Sequence, residues 1–249
     1  MLKYRSVIAY DGTDYLGWQI QGARKTVAYV LESAFLRVFK KKIHLRAASR
    51  TDAGVHAFGQ VVTFYLDDFL DPEKIRWAWN NALPLSITVR SIEVARSDFS
   101  VYSPCVKEYH YQLFLRRPQP FLARYGWFIR QTVDLQRLRE ALRLFEGTYD
   151  FTCFSTDDTR KDRVRTIHAI NFDYDNRYDW YTIVIQGPKF LRHMIRRIVG
   201  AAVIVACRKI VPLKVIEKAL LTQKLENALL SAPSHGLLLK AIVYDEEAT

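Results

Sequence analysis

Apolar and polar positions repeat along the chain with two different periods. Alternation with a period of two predicts strands, whereas apolar residues spaced three and four apart predict one buried helix face. Strands are therefore predicted at residues 3–10, 45–48, 60–65, 87–94, 109–115, 166–174, 180–186 and 237–244. Helices are predicted after Thr26, after Asp71, after Asp134, from Pro188 to about Cys207, and from Pro212 onwards.

These elements alternate without the regular strand–helix–strand spacing of a parallel sheet. The pattern favours an α+β fold with antiparallel pairing, and it restarts near residues 100–107. We expect two similar α/β modules, residues 1–104 and residues 105–249, whose largely antiparallel sheets form one extended central sheet. We expect the helices on the outer face of that sheet and a cleft between the modules.

The composition is typical of a globular protein, with 49% hydrophobic and 25% charged residues. The longest apolar run, Ile198 to Cys207, is too short to span a bilayer. The three cysteines are widely spaced and form no disulfide framework, which favours core residues in a reducing compartment over a catalytic thiol. We therefore expect a soluble, cytoplasmic protein with no membrane association.

Net charge is the strongest global feature of the sequence. Lys and Arg total 37 against 26 acids, a formal charge of +11, which suits a polyanionic partner such as nucleic acid or an anionic membrane surface. Cations and aromatics are also interleaved, as in RNA-binding surfaces, although any single one fits a solvated rim over an aromatic core. This set comprises Arg116, Arg117, Arg124, Arg130, Arg160, Lys161, Arg163, Arg165 and Lys189 among Phe121, Tyr125, Trp127, Phe128, Phe151 and Phe154.

The stretch "PKFLRHMIRRIVGAA" places Arg192 and Arg196 four residues apart, on one face of the predicted helix. Like charges at that spacing cost about 0.2–0.5 kcal/mol in an isolated helix. A nearby phosphate or carboxylate would offset this cost. The alternative is that these arginines are surface cations beside a core face.

Acidic residues offer little evidence of a metal site. Asp67 and Asp68, and likewise Asp157 and Asp158, are adjacent in polar stretches and are interpreted as solvated turns. Neither a GxxxxGK[ST] nor a GxGxxG phosphate-binding motif occurs. Nothing in the sequence requires a metal or a nucleotide cofactor.

The stretch "ASRTDAGVHAFGQVV", residues 47–61, sets Asp52 between Arg50 and His56, shortly before a predicted strand. An Asp followed two residues later by Gly is common in turns, so these residues alone favour a plain turn. The other interpretation is that the turn presents a reactive carboxylate.

Several segments, in order over nearly the whole chain, resemble the tRNA pseudouridine synthase A (TruA) family. They are "YDGTDYLGWQIQ" (10–21), "SRTDAGVHAFGQVVTF" (49–64), "NNALP" (80–84), "DFTCF" (150–154), "RTI" (165–167), "FLRHMIRRIVG" (190–200) and "HGLLL" (235–239). The RTDAGVHA stretch is the most specific of them.

That resemblance implies roles for individual residues. Asp52 matches the catalytic aspartate of the family, and Arg50 matches an arginine implicated in turning out the target nucleotide. Tyr109 matches the tyrosine that stacks against the uracil, and Arg196 matches the arginine that pairs with the catalytic aspartate. Leu237 is similar to part of the apolar pocket wall. Three further cations are expected to contact RNA: Lys189, Arg192 and Arg165.

The resemblance also implies an activity and partners. Members isomerise uridines 38 to 40 in the anticodon arm of tRNA, as homodimers, without a metal or cofactor. Two departures bear on RNA binding and substrate range: Ser49 stands where the family usually has Gly, and Ser100-Val101-Tyr102 stands where a Phe-His-Ala-Arg-like run is usual. Two alternatives remain at this point, a base-releasing N-glycosylase and a non-catalytic RNA-binding protein.

Overall fold

A computed structural model describes residues 1–22, 25–156, 162–224 and 231–245. The fold is α+β with mostly antiparallel pairing, as the sequence predicts. The chain divides into two compact units, Met1–Cys105 with Leu238–Thr249, and Val106–Leu237. This division differs from two contiguous modules, 1–104 and 105–249, because the last strand of the chain pairs with a strand of the first unit.

The first unit is built on a sheet whose two inner strands are β1 and β3. Strand β1 pairs antiparallel with β3 and with β4, and β3 also pairs antiparallel with the short β2. The last strand, β11, runs parallel to β3, with Leu238 opposite His56. The bounds are β1 (Leu2–Tyr10), β2 (Arg46–Ala47), β3 (His56–Leu66), β4 (Ile87–Val94) and β11 (Leu237–Val243).

Two helices of the first unit begin at the predicted capping residues. The side chain of Thr26 accepts from the backbone N–H of Tyr29 at the start of α1 (Val27–Phe39). Asp71 accepts from the N–H of Lys74 at the start of α2 (Pro72–Ala82). Such caps satisfy backbone donors that have no partner within the helix.

An aromatic cluster forms the core between these helices and the sheet. Trp79 of α2 is fully buried and meets Phe35 and Phe64 edge-on, with ring centroids 5.0 and 5.8 Å away. Its indole N–H donates to the carbonyl of Leu31 at 3.1 Å. One side chain therefore joins both helices to β3 and leaves no polar atom of its own unpaired.

The second unit contains three antiparallel strands in the order β5-β10-β9, with β6 parallel to β5. Two further strands, β7 and β8, form a separate antiparallel pair. Helix α3 packs against the largely buried α4. The bounds are β5 (Val106–Phe114), β6 (Trp127–Phe128), α3 (Leu135–Arg143), β7 (Gly147–Asp150), β8 (Val164–Ile167), β9 (Ala169–Asp175), β10 (Trp180–Gly187), α4 (Met194–Cys207) and α5 (Lys214–Thr222).

The helix predicted from Pro188 begins six residues later, at Met194. His193 takes a left-handed conformation with φ 61°, and the N–H of Met194 donates to the carbonyl of Leu191 in a tight turn. A left-handed residue cannot continue a right-handed helix. Arg192 therefore precedes α4, and the prediction that it shares a helix face with Arg196 is wrong.

The strand predicted over residues 166–174 is two strands in the structure. His168 separates β8 from β9, and its N–H donates to the carbonyl of Gln186 at 2.8 Å. The hairpin around Asp175 is confirmed, with Asp175 opposite Trp180. Both strands bury side chains, so the pattern of apolar residues continues across the break and predicts a single strand.

The three cysteines carry free thiols. Burial raises the pKa of Cys153 and of Cys207 above the ordinary value, and a hydrogen bond with Asp245 raises the pKa of Cys105. A thiol with a raised pKa is a poor nucleophile near neutral pH. Among the described residues, no helix has the length and apolar character needed to cross a membrane.

We expect Trp79→Ala to lower the free energy of unfolding by about 3–5 kcal/mol, because it removes a fully buried aromatic side chain from the core. Trp77→Ala, two residues earlier on α2, is the matched control. Trp77 is 69% exposed, so its loss should change stability by less than about 0.5 kcal/mol. Urea denaturation followed by circular dichroism measures both, and equal losses would show that the cluster does not hold the first unit together.

Candidate active site

The loop that carries Asp52 joins β2 to β3, and its first half is fixed by the buried Gln60. The side-chain amide of Gln60 donates to the carbonyl of Ser49 at 2.6 Å, and its oxygen accepts from the N–H of Ser49 at 3.2 Å. Next to it, the N–H of Ala48 donates to the carbonyl of Val61. The chain thus leaves the sheet at a defined point before it reaches Asp52.

Thr51 anchors the middle of the loop to the last residue of β1 and to the segment that follows it. It is 9% exposed, and its hydroxyl lies 2.7 Å from the phenol oxygen of Tyr10 in a buried hydrogen bond. Its carbonyl accepts from the N–H of Trp18 at 3.1 Å. Side chain and backbone of the residue before Asp52 are therefore both held.

The second half of the loop is a turn, as the sequence suggests. Gly54 has φ 77°, which glycine adopts without steric cost, and its N–H donates to the carbonyl of Tyr15 at 3.2 Å. The N–H of Val55 donates to the carbonyl of Asp52 at 3.1 Å and closes the turn. The turn is thus hydrogen-bonded to the same segment that holds the backbone of Thr51.

Two glycines allow this segment to approach the loop. A Cβ on Gly12 would lie 2.0 Å from the carbonyl oxygen of Val55, and one on Gly17 would lie 2.7 Å from that of Thr51. Gly17 also has φ 84°, a conformation that other residues adopt only with strain. The backbone contact on both sides of Asp52 therefore depends on two positions without side chains.

His56 connects the same two segments at the start of β3. Its Nδ1 lies 3.1 Å from the N–H of Gly12 and 3.1 Å from Oδ1 of Asp11. The neutral ring can accept from Gly12 through Nδ1, whereas the protonated ring can donate to the carboxylate from the same atom. In either state the buried imidazole holds the segment after β1 against the loop.

These contacts leave Asp52 half-buried between the buried Thr51 and Val55, with Arg50 exposed on the same loop. The carboxylate is attached to a fixed backbone and is still partly accessible. A carboxylate in such a position can act as a nucleophile or stabilise a developing positive charge.

The second unit holds Arg196 in the first turn of α4. Its Nε donates to the carbonyl of Ala232 at 2.8 Å, and its own carbonyl accepts from the N–H of Ala232 at 2.9 Å. The side chain is half-buried. Arg196 is therefore a fixed group rather than a mobile surface cation.

Tyr111 supports the segment that carries Arg196's partner. Its hydroxyl donates to the carbonyl of Pro233 at 2.8 Å, and a Cβ on Gly236 would lie 2.7 Å from its ring. Burial raises the pKa of Tyr111 above its ordinary value despite the nearby charge of Arg196, so the phenol stays protonated and donates. The buried Leu237 follows directly, so one ring organises residues 233–237.

Tyr109 lies two residues before Tyr111 on β5 and is 6% exposed. Its ring meets Phe190 edge-on, with centroids 5.3 Å apart. This geometry fixes the orientation of the ring against the loop that leads to α4.

The predicted RNA contacts fall into two groups. Lys189 and Arg192 are exposed, whereas Arg165 is 8% exposed and bonds to the carbonyl of Val164 and to Asp162. Arg165 therefore also fixes the local backbone. Four of the acids and cations singled out in the sequence lie outside the described residues: Asp157, Asp158, Arg160 and Lys161.

The remaining acidic pair behaves as a surface turn, since the exposed Asp68 bonds to Lys41. Within the four described ranges, no group of three or more His, Cys, Asp or Glu residues is placed to hold a metal ion.

Sequence reasoning missed the residues that fix these groups. Thr51, Gln60 and Tyr111 belong to that set, as does Arg197, whose Nη1 donates to the carbonyls of Cys153 and Ser155 at 3.1 and 3.0 Å. The glycines of "YDGTDYLGW" were the available signal, because a glycine can mark a close backbone approach.

Comparisons with known proteins place the whole chain in a family. A family model described as tRNA pseudouridine synthase matches residues 7–102 and 141–245. The chain is 36% identical to tRNA pseudouridine synthase A 1 of Protochlamydia amoebophila, over 98% of this chain and 97% of that protein. It is also 36% identical to tRNA pseudouridine synthase A of Thermotoga neapolitana, over 98% of this chain and 100% of that protein.

Among solved structures, the chain is similar to the archaeal box H/ACA sRNP Nop10-Cbf5 complex, with a TM-score of 0.36 and 12% identity. That match covers 80% of this chain and spans 43% of the solved chain.

We expect Gly17→Ala to disturb the Asp52 loop beyond the cost of its backbone conformation. Gly22→Ala is the control, because Gly22 also has a left-handed φ of 60° but, among the described residues other than its chain neighbours, none has an atom within 4 Å of an added Cβ. The control should lower the free energy of unfolding by about 1–2 kcal/mol, which is the cost of the left-handed conformation alone. Gly17→Ala should cost more and should also speed hydrogen exchange at the Val55 amide.

Unfolding free energies and amide exchange rates measured on both variants test whether the close approach at Gly17 positions the Asp52 loop. Equal losses, with unchanged exchange at Val55, would show that the close approach at Gly17 does not position the loop.

Proposed function

The chain belongs to the tRNA pseudouridine synthase family, and we propose that it isomerises uridines 38 to 40 in the anticodon arm of tRNA. Its relatives are isomerases that act on tRNA, so the reaction class follows from membership. The proposal adds the site on the tRNA and the roles of individual residues. Asp52 is the catalytic carboxylate in this proposal.

The observation that carries the assignment of Asp52 is the way its loop is held. Thr51 and Val55, on either side of it, are buried and bonded, while Asp52 itself stays partly accessible. A fixed reactive group lowers the entropic cost of reaching a productive geometry. An ordinary surface turn has no need of buried bonds on both sides of its acid.

The chemistry of the isomerisation suits a carboxylate. The bond between N1 of uracil and C1′ of ribose breaks, the base turns, and C5 bonds to C1′. C5 loses a proton and N1 gains one, so no atom is added and nothing is oxidised or reduced. The carboxylate can attack as a nucleophile or stabilise the cationic sugar, and the proposal therefore includes no metal or cofactor.

The charge of the protein supports tRNA as the substrate. The formal charge is +11, and Arg50, Lys189 and Arg192 are exposed cations available to phosphates. Phosphate contacts provide most of the affinity for nucleic acid and make it depend on salt. In this proposal Arg50 helps to turn out the target nucleotide, Tyr109 stacks on its uracil and Leu237 lines the pocket. We also propose that the enzyme acts as a homodimer.

Asp52→Asn should abolish pseudouridine formation and leave tRNA affinity nearly unchanged. The carboxamide keeps the shape but loses the negative charge, and most of the affinity comes from phosphate contacts elsewhere. Tritium release from tRNA labelled at C5 of uridine measures turnover, and filter binding measures affinity. The control is Asp67→Asn, at an exposed acid in another loop, which should turn over like the parent. Substantial turnover by Asp52→Asn would overturn the assignment.

Arg196→Ala should lower the single-turnover rate by about 10²–10³-fold, the range found when one preorganised hydrogen-bond donor is removed from an active site. Arg196→Lys should recover only part of the rate, because an ammonium group lacks the planar fork that Arg presents. The exposed Arg192→Ala should mainly weaken tRNA binding. Rates at saturating enzyme and separate binding curves distinguish these effects. Full activity in Arg196→Ala would assign Arg196 a purely structural role.

A further inference from the structure

An open groove on the second unit has no role in the reaction described above. Its volume is about 690 Å³, inside the range of roughly 300–1,000 Å³ usual for ligand clefts. We name it the Arg117–Arg130 groove, after the two arginines on its rim. Its principal lining residues are Arg117, Pro118, Trp127, Phe128, Arg130 and His235.

The floor of this groove is rigid. Trp127 and Phe128 form β6, which pairs with β5, and the N–H of Ile129 donates to the carbonyl of Phe114 at 2.9 Å. A Cβ on Gly126 would lie 2.5 Å from the ring of Phe114, so the chain is packed tightly onto the sheet here. Both lining aromatics are half-buried, which leaves part of each ring accessible while its position stays fixed.

Among the described residues that line the groove, two are arginines, Arg117 and Arg130, and none is acidic. The stretch from Tyr109 to Val133 contains four arginines and no acidic residue. Arg117, Arg124 and Arg130 are exposed, and within the described residues none of their guanidinium groups makes a hydrogen bond or ion pair. Within the described residues these arginines therefore have no direct anionic partner, which suits an anionic ligand.

The groove adjoins the wall of the proposed active site within the same unit. His235 lies in the turn Ser234–Gly236, and Gly236 of that turn packs on the ring of Tyr111. Leu237 follows directly. A ligand in the groove would therefore contact the same short turn that leads into the pocket wall.

We propose that the Arg117–Arg130 groove binds one unpaired nucleotide of the tRNA that flanks the target uridine. The inference rests on the proposed function, since it takes RNA as the ligand. The base stacks on Trp127, and Arg117 and Arg130 contact its phosphates. Aromatic faces combined with arginines are how proteins hold single-stranded nucleic acid, and this mode tolerates any base.

Binding and crosslinking test the proposal without requiring turnover. A tRNA transcript containing 4-thiouridine is irradiated with the Asp52→Asn variant of the full chain, and crosslinked peptides are mapped by mass spectrometry. We expect a crosslink within residues 117–130. In the same background, Trp127→Ala should bind the tRNA about 5- to 100-fold more weakly, as expected when one base stack is removed.

A second variant keeps the test valid if Trp127→Ala is poorly folded. Arg117→Ala with Arg130→Ala changes only exposed cations, and its plot of log affinity against log salt should be shallower by about 0.7 for each single-strand phosphate that is no longer neutralised. The matched controls are Trp77→Ala and Arg143→Ala, which replace exposed residues outside the groove. Both controls should bind like the parent.

The outcomes separate this proposal from the function on which it rests. If the parent forms pseudouridine but the groove variants bind tRNA like the controls and no crosslink maps to residues 117–130, only the groove proposal fails. If the variants instead lose self-association in sedimentation and keep RNA affinity, the groove is a protein contact and the proposal is overturned. If the parent forms no pseudouridine, the proposed function fails, and the crosslink map still decides whether the groove binds RNA.

Discussion

The backbone after β1 lies so close to the loop before β3 that two positions admit no side chain. Gly12 and Gly17 face the carbonyls of Val55 and Thr51 at distances that a Cβ could not tolerate. This approach brings the Tyr10 hydroxyl and the Trp18 amide to Thr51, next to Asp52. The position of the loop that carries the carboxylate therefore depends on this close backbone contact.

The second unit fixes its charged group by a comparable device. Arg196 exchanges two hydrogen bonds with Ala232, and Tyr111 holds the following segment through Pro233 and Gly236. A buried tyrosine with a raised pKa remains a donor across the physiological range, so this support does not vary with pH. Both units thus place a half-buried charge on a backbone that buried hydroxyls and close glycine contacts hold in place.

Features of the fold that depend on neighbouring residues were predictable from the sequence, whereas features that depend on tertiary contacts were not. The caps at Thr26 and Asp71, and the hairpin around Asp175, depend on neighbouring residues and were predicted correctly. The predicted start of α4 was wrong because the left-handed conformation of His193 has no signature in its own sequence. Likewise, the Asp52 motif was visible, but the bonds of Thr51 to Tyr10 and of Gln60 to Ser49 join residues distant or unremarkable in sequence. These hydrogen bonds depend on tertiary contacts, which the spacing of apolar residues along the sequence does not predict.

If the Asp52 carboxylate, whose loop is held in place, serves an isomerisation, the uracil must detach from C1′ of ribose and then reattach to it through C5. The decisive measurement is complete digestion of a tRNA transcript after incubation with the parent protein, followed by liquid chromatography and mass spectrometry of the nucleosides and the free bases. We expect pseudouridine, equal in mass to uridine but more resistant to glycosidic cleavage, formed in amounts that equal the uridine consumed. Free uracil in place of pseudouridine would instead identify a base-releasing enzyme and contradict the isomerisation.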